Sequence, residues 1–343
     1  MSDKILTVWM FVLGTHLFLY YLFFIGYHQQ FPIILGLFVP LPLVHGPFLL
    51  FYISSLINRH QRFRRRQLLH FIPSISYFTL LLPIFMLPLE GQRAFVFEQL
   101  PVDPPLYVTF FSILVDVSGV TYVCWSLILL RKHQKNIGNE FSYTDKINLK
   151  WLRNIIIGMA LVWVAVLAGN FMEELESSNL VFGTVVLFIF LVGYYGSRQG
   201  IIFTDLLDST EPRIEQETKN KYQRSGLTKD RSQKYLRQLL DYMEKGKPHL
   251  DSKMNLSLLA NRLEINPNYI SQIINDQLQQ NFYDFINQYR VEEFKNRLND
   301  KTAIRYTLLS HALASGFSSK SSFNEVFKRI TGQTPSEFQK NLP

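Results

Sequence analysis

Apolar and polar positions fall into two regimes along the chain, which meet near residue 204. In the first regime six long apolar segments, at about 5–28, 33–57, 68–89, 105–130, 152–172 and 179–203, alternate with short polar loops. Each approaches or exceeds the roughly 20 residues that a helix needs to cross a bilayer core. A helix of that length packed on the core of a water-soluble protein would keep a polar stripe towards solvent. The run Leu180–Tyr195, LVFGTVVLFIFLVGYY, keeps none. The pattern predicts an all-α chain that begins with a polytopic bundle of six spans. Pro40, Pro42 and Pro47 should break or kink the second span.

From Asp205 to about Asp230 the chain turns polar and mixed in charge without hydrophobic periodicity, and reads as a linker. Tyr235, Leu239 and Met243 then recur at helical spacing, predicting an amphipathic helix over 231–245 that Gly246 and Pro248 stop. Two similar units follow, offset by about 52–53 residues. In the first, a short helix at 256–263 leads through Glu264–Pro267 into a helix at 268–276, with Ile270, Ile273 and Ile274 facing inward. In the second, helices at 307–314 and 319–330 flank the turn Ser315–Ser318, and Phe323, Val326, Phe327 and Ile330 form the buried stripe. Asn266-Pro267 and Ser318 suit N-cap positions. A helix, a tight turn and a second helix, with a small Ala at the crossing and Gly in the turn, form a helix-turn-helix pattern. Two in tandem, joined by a helical stretch over 282–298, are far more specific than one. The predicted organisation is an apolar domain at 1–204, a linker at 205–230 and a polar domain at 231–343.

Composition sharpens this division. Aromatic residues make up 15% of the 343 and charged residues only 18%, and the imbalance is concentrated in the apolar half. A net charge of +8 suits both anionic lipid and nucleic acid. Its distribution says more. Lys and Arg gather after the second segment (Arg59, Arg62, Arg64, Arg65, Arg66), after the fourth (Arg131, Lys132, Lys135, Lys146, Lys150, Arg153) and, with Arg198, after the sixth. The alternate loops hold Glu90–Pro105, with Arg93 as its one cation, and the acidic Glu173–Glu176. Because cytoplasmic loops carry the basic excess, both termini are expected in the cytoplasm, with the polar half facing the compartment that holds DNA. The first apolar run is too long for the h-region of a cleavable signal peptide. His16, His45, Asp116 and Asn170 fall at membrane depth, where polar groups either hold helices together or line a ligand site. His45 and Asp116 are the candidate signal-sensing pair.

The C-terminal region of about 230–341 resembles the AraC/XylS family of transcription regulators. The resemblance is carried by Gly316-Phe317, the Phe-rich helix through Phe323 and Phe327, Gly332 and Thr334-Pro335, and by Asn281–Phe285 with Tyr289-Arg290-Val291. His311 departs from the pattern, which usually has an aliphatic residue before this Ala. The apolar half is similar to membrane-bound AraC-type regulators of bacteria, through Pro40-Leu41-Pro42, Gly46-Pro47, Gly193-Tyr194-Tyr195, Gln199 and Phe203. That likeness implies a multi-pass protein of the inner membrane, with one further span ahead of the first segment seen here.

In such a domain the second helix of each unit enters the major groove by its N-terminal end. The candidate base-reading residues are Asn268, Tyr269 and Gln272 in the first unit, and Ser319, Lys320, Ser321, Asn324 and Lys328 in the second. Arg305, Arg329 and Lys340 are candidate phosphate contacts. The expected function is a membrane-anchored, sequence-specific transcription regulator. Its expected partners are double-stranded DNA, the lipid bilayer, a second copy of the chain and an unknown small-molecule or protein signal. The alternative is a membrane protein whose helical tail binds a protein. No enzymatic activity, cofactor or metal is expected. Cys124 has no second cysteine to pair with, and no Gly-rich phosphate loop, metal-spaced His cluster or nucleophile with a nearby base is present.

Overall fold

The computed structural model describes residues 2–57, 65–143, 149–169, 171–172, 174–204, 227–299 and 306–341. The basic residues Arg59, Arg62 and Arg64, most of the linker, Asn170 and Arg305 lie outside them. Among the described residues the regular structure is helical, apart from one isolated antiparallel bridge between Phe141 and Asn255. The chain divides into two units, one of residues 1–132 and 149–206, the other of 133–148 and 207–343.

The first unit holds α1 (Ser2–Phe24), α2 (Ile33–Phe38), α3 (Pro42–Ile57), α4 (Ile72–Phe85), α5 (Leu89–Arg93), most of α6 (Leu106–Glu140), α7 (Lys150–Gly169) and α8 (Glu174–Thr204). Among the described residues six stretches are long and apolar enough to cross a membrane: Ser2–Phe24, Ile33–Ile57, Arg65–Phe85, Leu106–Glu140, Trp151–Gly169 and Asn179–Gly196. The expected interruption of the second separates α2 from α3, and Pro47 is accommodated inside α3. One difference concerns α6. The sequence ended this segment at 130, before Arg131 and Lys132, but the helix continues to Glu140. Charge ends an apolar run without ending a helix, since Lys, Gln and Arg are good helix formers.

Trp9, Tyr52, Ile53, Leu152, Ile156, Trp163 and Phe188 share one core in this unit, and a smaller one joins Leu43, Tyr77, Leu81 and Phe111. Tyr77 and Phe111 stack at 4.4 Å. Gly119 lets α6 approach Trp163 so closely that an added Cβ would lie 2.1 Å from the indole. Large apolar side chains also point outward, Phe11 at 76%, Leu187 at 70% and Phe190 at 72% exposure.

The second unit holds α9 (Lys229–Gly246), α10 (Leu256–Leu263), α11 (Pro267–Gln277), α12 (Phe282–Asn299), α13 (Leu308–Ala314), α14 (Lys320–Thr331) and α15 (Pro335–Lys340), together with the end of α6. Helix α9 starts within the stretch read as linker, capped by Thr228, and the left-handed residue at its end is Lys247. Two cores are strung along α12. Phe282, Phe285 and Ile286 pack with Leu239, Met243, Leu259, Ile270 and Ile274, while Val291 and Phe294 pack with Ala312, Phe317, Phe323, Val326 and Phe327.

Candidate nucleic-acid interface

Each of the two cores supports a pair of short helices set by local chemistry. In the first pair, the Asn255 side chain accepts a hydrogen bond from the Leu258 N–H at 2.8 Å and starts α10. Leu259 and Ala260 are buried where the helices cross. Glu264 ends α10 in the left-handed region at φ 56°. Asn266 then caps α11 by accepting from the Asn268 N–H, with Pro267 at the first position, where a missing N–H costs nothing.

The second pair uses the same devices. Thr307 caps α13, accepting from the Ser310 N–H at 3.2 Å. Gly316 turns the chain at φ +90°, and a Cβ there would lie 2.1 Å from the His249 carbonyl oxygen, so no side chain fits. Ser319, and not Ser318, caps α14, accepting from the Ser322 N–H at 3.1 Å. Gly332 ends α14 at φ +78°, and Thr334 with Glu337 forms a reciprocal capping box on α15. Ile330, expected in the buried stripe, is exposed at the last turn, while Phe323, Val326 and Phe327 are buried as predicted.

A family model described as a helix-turn-helix domain matches residues 259–341. The second unit carries an AraC-type helix-turn-helix domain. Relatives described as uncharacterized HTH-type transcriptional regulators of Staphylococcus aureus, from strains COL, MSSA476 and N315, are each 32% identical over 106 residues, 31% of this chain. The alignment spans only 13% of the length of these relatives. A solved structure of a Listeria innocua protein of unknown function is 28% identical, covers 31% of this chain and 94% of its own, and superposes with a TM-score of 0.27.

Within the helix-turn-helix domain, Lys320, Ser321, Asn324 and Lys328 are exposed on α14, and Ser319 sits half-buried as its cap. On α11 only Asn268 is exposed among the three candidates. Tyr269 is half-buried and stacks on Tyr235 at 6.3 Å, so part of its surface serves the domain core. Gln272 is half-buried, and its Oε1 has no partner among the described residues. Arg329 is engaged inside the domain. It pairs with Asp284 and lies over the Tyr283 ring at 5.3 Å, tying α14 to α12. Helices α11 and α14 differ in charge. Pro267–Gln277 holds one Asp and no Lys or Arg, while Lys320–Thr331 holds two Lys and one Arg against one Glu.

His249 lies beneath Gly316, 4% exposed, with neither ring nitrogen partnered among the described residues. Burial lowers its pKa to about 4, against the pull of Glu293, while Arg290, Lys247 and Arg297 add to the lowering. In the first unit, His45 is buried and its Nε2 lies 2.8 Å from His16 Nδ1, with the two rings stacked at 5.0 Å. The sequence had paired His45 with Asp116; the structure places His16 beside it, and Asp116 is half-buried on α6.

Proposed function

We propose that the chain is a membrane-anchored, sequence-specific DNA-binding transcription regulator, with its apolar half receiving a signal. The observation that carries this reading is the pairing of α11 and α14 in one unit, each with an outward polar face, on a chain whose other unit offers six membrane-capable helices. Docked on DNA, the two helices would enter successive major grooves about 34 Å apart on one face of the duplex. Asn268 and Asn324 suit adenine and Lys320 suits guanine, with Ser319 and Ser321 permissive. Lys328, and Arg305 outside the described residues, add attraction to phosphate. The basic loops after the second, fourth and sixth apolar segments support cytoplasmic termini and an inner-membrane location. The outward apolar side chains of the first unit support lipid contact. A signal that promotes homodimerisation would raise the local concentration of a second DNA-binding domain through the 205–230 linker, which transmits proximity better than rigid motion.

The test is to incubate the detergent-solubilised full chain with fragmented DNA from its source and sequence what is retained. A discrete motif, weakened by Lys320→Ala, is expected. Uniform, salt-sensitive retention without a motif would overturn the reading and favour a tail that binds protein.

A further inference from the structure

The end of α6 belongs to the second unit, where its last turns and the residues after them are seated on the helix-turn-helix domain. His133, Ile137, Phe141 and Ser142 are all buried, and Gly138 faces the Asn281 side chain at the start of α12. Phe141 bridges Asn255, the cap of α10. Ser142 makes the central contacts. Its N–H and its hydroxyl both donate to the Met254 carbonyl, at 3.3 and 2.5 Å. Its own carbonyl accepts from Asn287 Nδ2 at 3.2 Å and from Arg290 Nη1 at 2.8 Å, and its Oγ accepts from Arg290 Nη2 at 3.0 Å.

Arg290 is 1% exposed. Its remaining bonds go to the His249 and Asp251 carbonyls and to Asn287 Oδ1, so two of its five hydrogen bonds end on Ser142. A guanidinium has five N–H donors and cannot shed its charge to escape burial. Here carbonyl and hydroxyl oxygens satisfy it, and removal of Ser142 would leave two buried donors open. Along α12, Asn287 and Arg290 lie between Phe285 and Ile286, which enter the first core, and Val291 and Phe294, which enter the second. Ser142 thus joins the entry of the first helix pair to the point on α12 where the two halves of the domain meet.

We infer that residues 133–143 are a control segment whose docking, through Ser142 on Asn287 and Arg290, holds the two helix-turn-helix units in the arrangement that binds DNA. The inference rests on the DNA-binding reading. The segment directly continues the apolar helix 106–132 along the chain, a covalent connection to the first unit separate from the 205–230 linker. Docking preorganises the pair of recognition helices for two grooves at once, and preorganisation raises affinity by removing an ordering cost. Withdrawal leaves each pair folded on its own core but no longer held at one mutual angle.

Two forms of the full chain in native membranes test this, both in a Cys124→Ser background. The first carries Phe141→Cys and Asn255→Cys. Antiparallel partners sit about 4.5–5.5 Å apart at Cα, inside the roughly 4.4–6.8 Å range of a disulfide. The second carries Phe141→Asp and Ser142→Leu, outside both helix pairs. The probe is the set of fragments retained in the selection above, with a scrambled duplex as control. Oxidation is expected to cross-link the first form, which then binds at least as tightly as after reduction. The second form is expected to keep the motif but bind at least tenfold more weakly, with hydrogen-exchange protection retained in α11 and α14. Absence of the cross-link, weaker binding by the locked form, or unchanged affinity of the second form overturns the inference. Failure of every form, the unsubstituted chain included, to select a motif instead overturns the DNA-binding reading on which it rests.

Discussion

At Gly316 the carbonyl oxygen of His249 occupies the place where a side chain would begin. A left-handed φ costs an L-residue about 1–2 kcal/mol, and overpacking a buried site costs a further 1–3 kcal/mol or so. Gly316→Ala is therefore expected to destabilise the second unit by about 3 kcal/mol, read as a shift in its denaturant midpoint. His249 itself makes the unit sensitive to acid. Above pH 6.5 the imidazole is neutral in both folded and unfolded chains. As pH falls from 6.5 towards 4 only the unfolded chain takes up the proton, so stability drops across that window and levels off below it. Because neither ring nitrogen has a partner among the described residues, His249→Phe should flatten this part of the stability profile. Melting curves of both proteins between pH 4 and 7 check it; parallel profiles would contradict the assignment. The exposed cations of α14 act differently. Lys328→Ala is expected to weaken binding uniformly across sequences and to reduce the slope of log affinity against log salt by about 1. Lys320→Ala should instead relax the motif. Arg329→Ala, which loses Asp284 and Tyr283, should register as lost stability of the α12–α14 contact.

At the scale of elements, what the sequence disclosed depended on distance along the chain. The helix pairs were legible because their signals are local: Asn266 with Pro267, the Ala312 crossing and Gly316 all act within one turn. Adjacent serines defeated the same logic at Ser318 and Ser319. Either side chain could cap, and only the extended backbone of Ser319, φ −158°, selects it. The exposure of Ile330 was hidden because helical spacing marks a face and does not say where its cover stops. Ser142 carried no sequence signal at all, since its partners lie 145 and 148 positions away. The His16–His45 contact was missed for a related reason: both residues were visible as costly polar groups, but pairing depends on which helices adjoin.

At the scale of the whole molecule, the alternation of basic and acidic loops makes a topology prediction. Alkaline phosphatase inserted near residue 102 should be active, whereas a fluorescent protein joined after residue 343 should fluoresce in the cytoplasm. The opposite pattern at either position would reverse the orientation and remove the polar half from the compartment that holds DNA. The division into an apolar and a polar half was plain from residue pattern alone. The placement of residues 133–143 in the second unit was not, because composition places them between two apolar segments and says nothing of what they fold against.

Helix α12 threads both cores, and this gives the expected target sites a grammar. Eighteen residues of unbroken helix span about 27 Å, and each residue advances the helix by about 1.5 Å and turns it by about 100°. A chain with one Ala inserted in the middle of α12 would present α14 to the wrong side of the duplex, and no base-pair spacer of whole turns could restore it. Natural targets should accordingly keep one fixed distance between their two half-motifs. A promoter could gain or lose letters within a half-motif by gradual mutation. A single base inserted between the halves should silence the site at once.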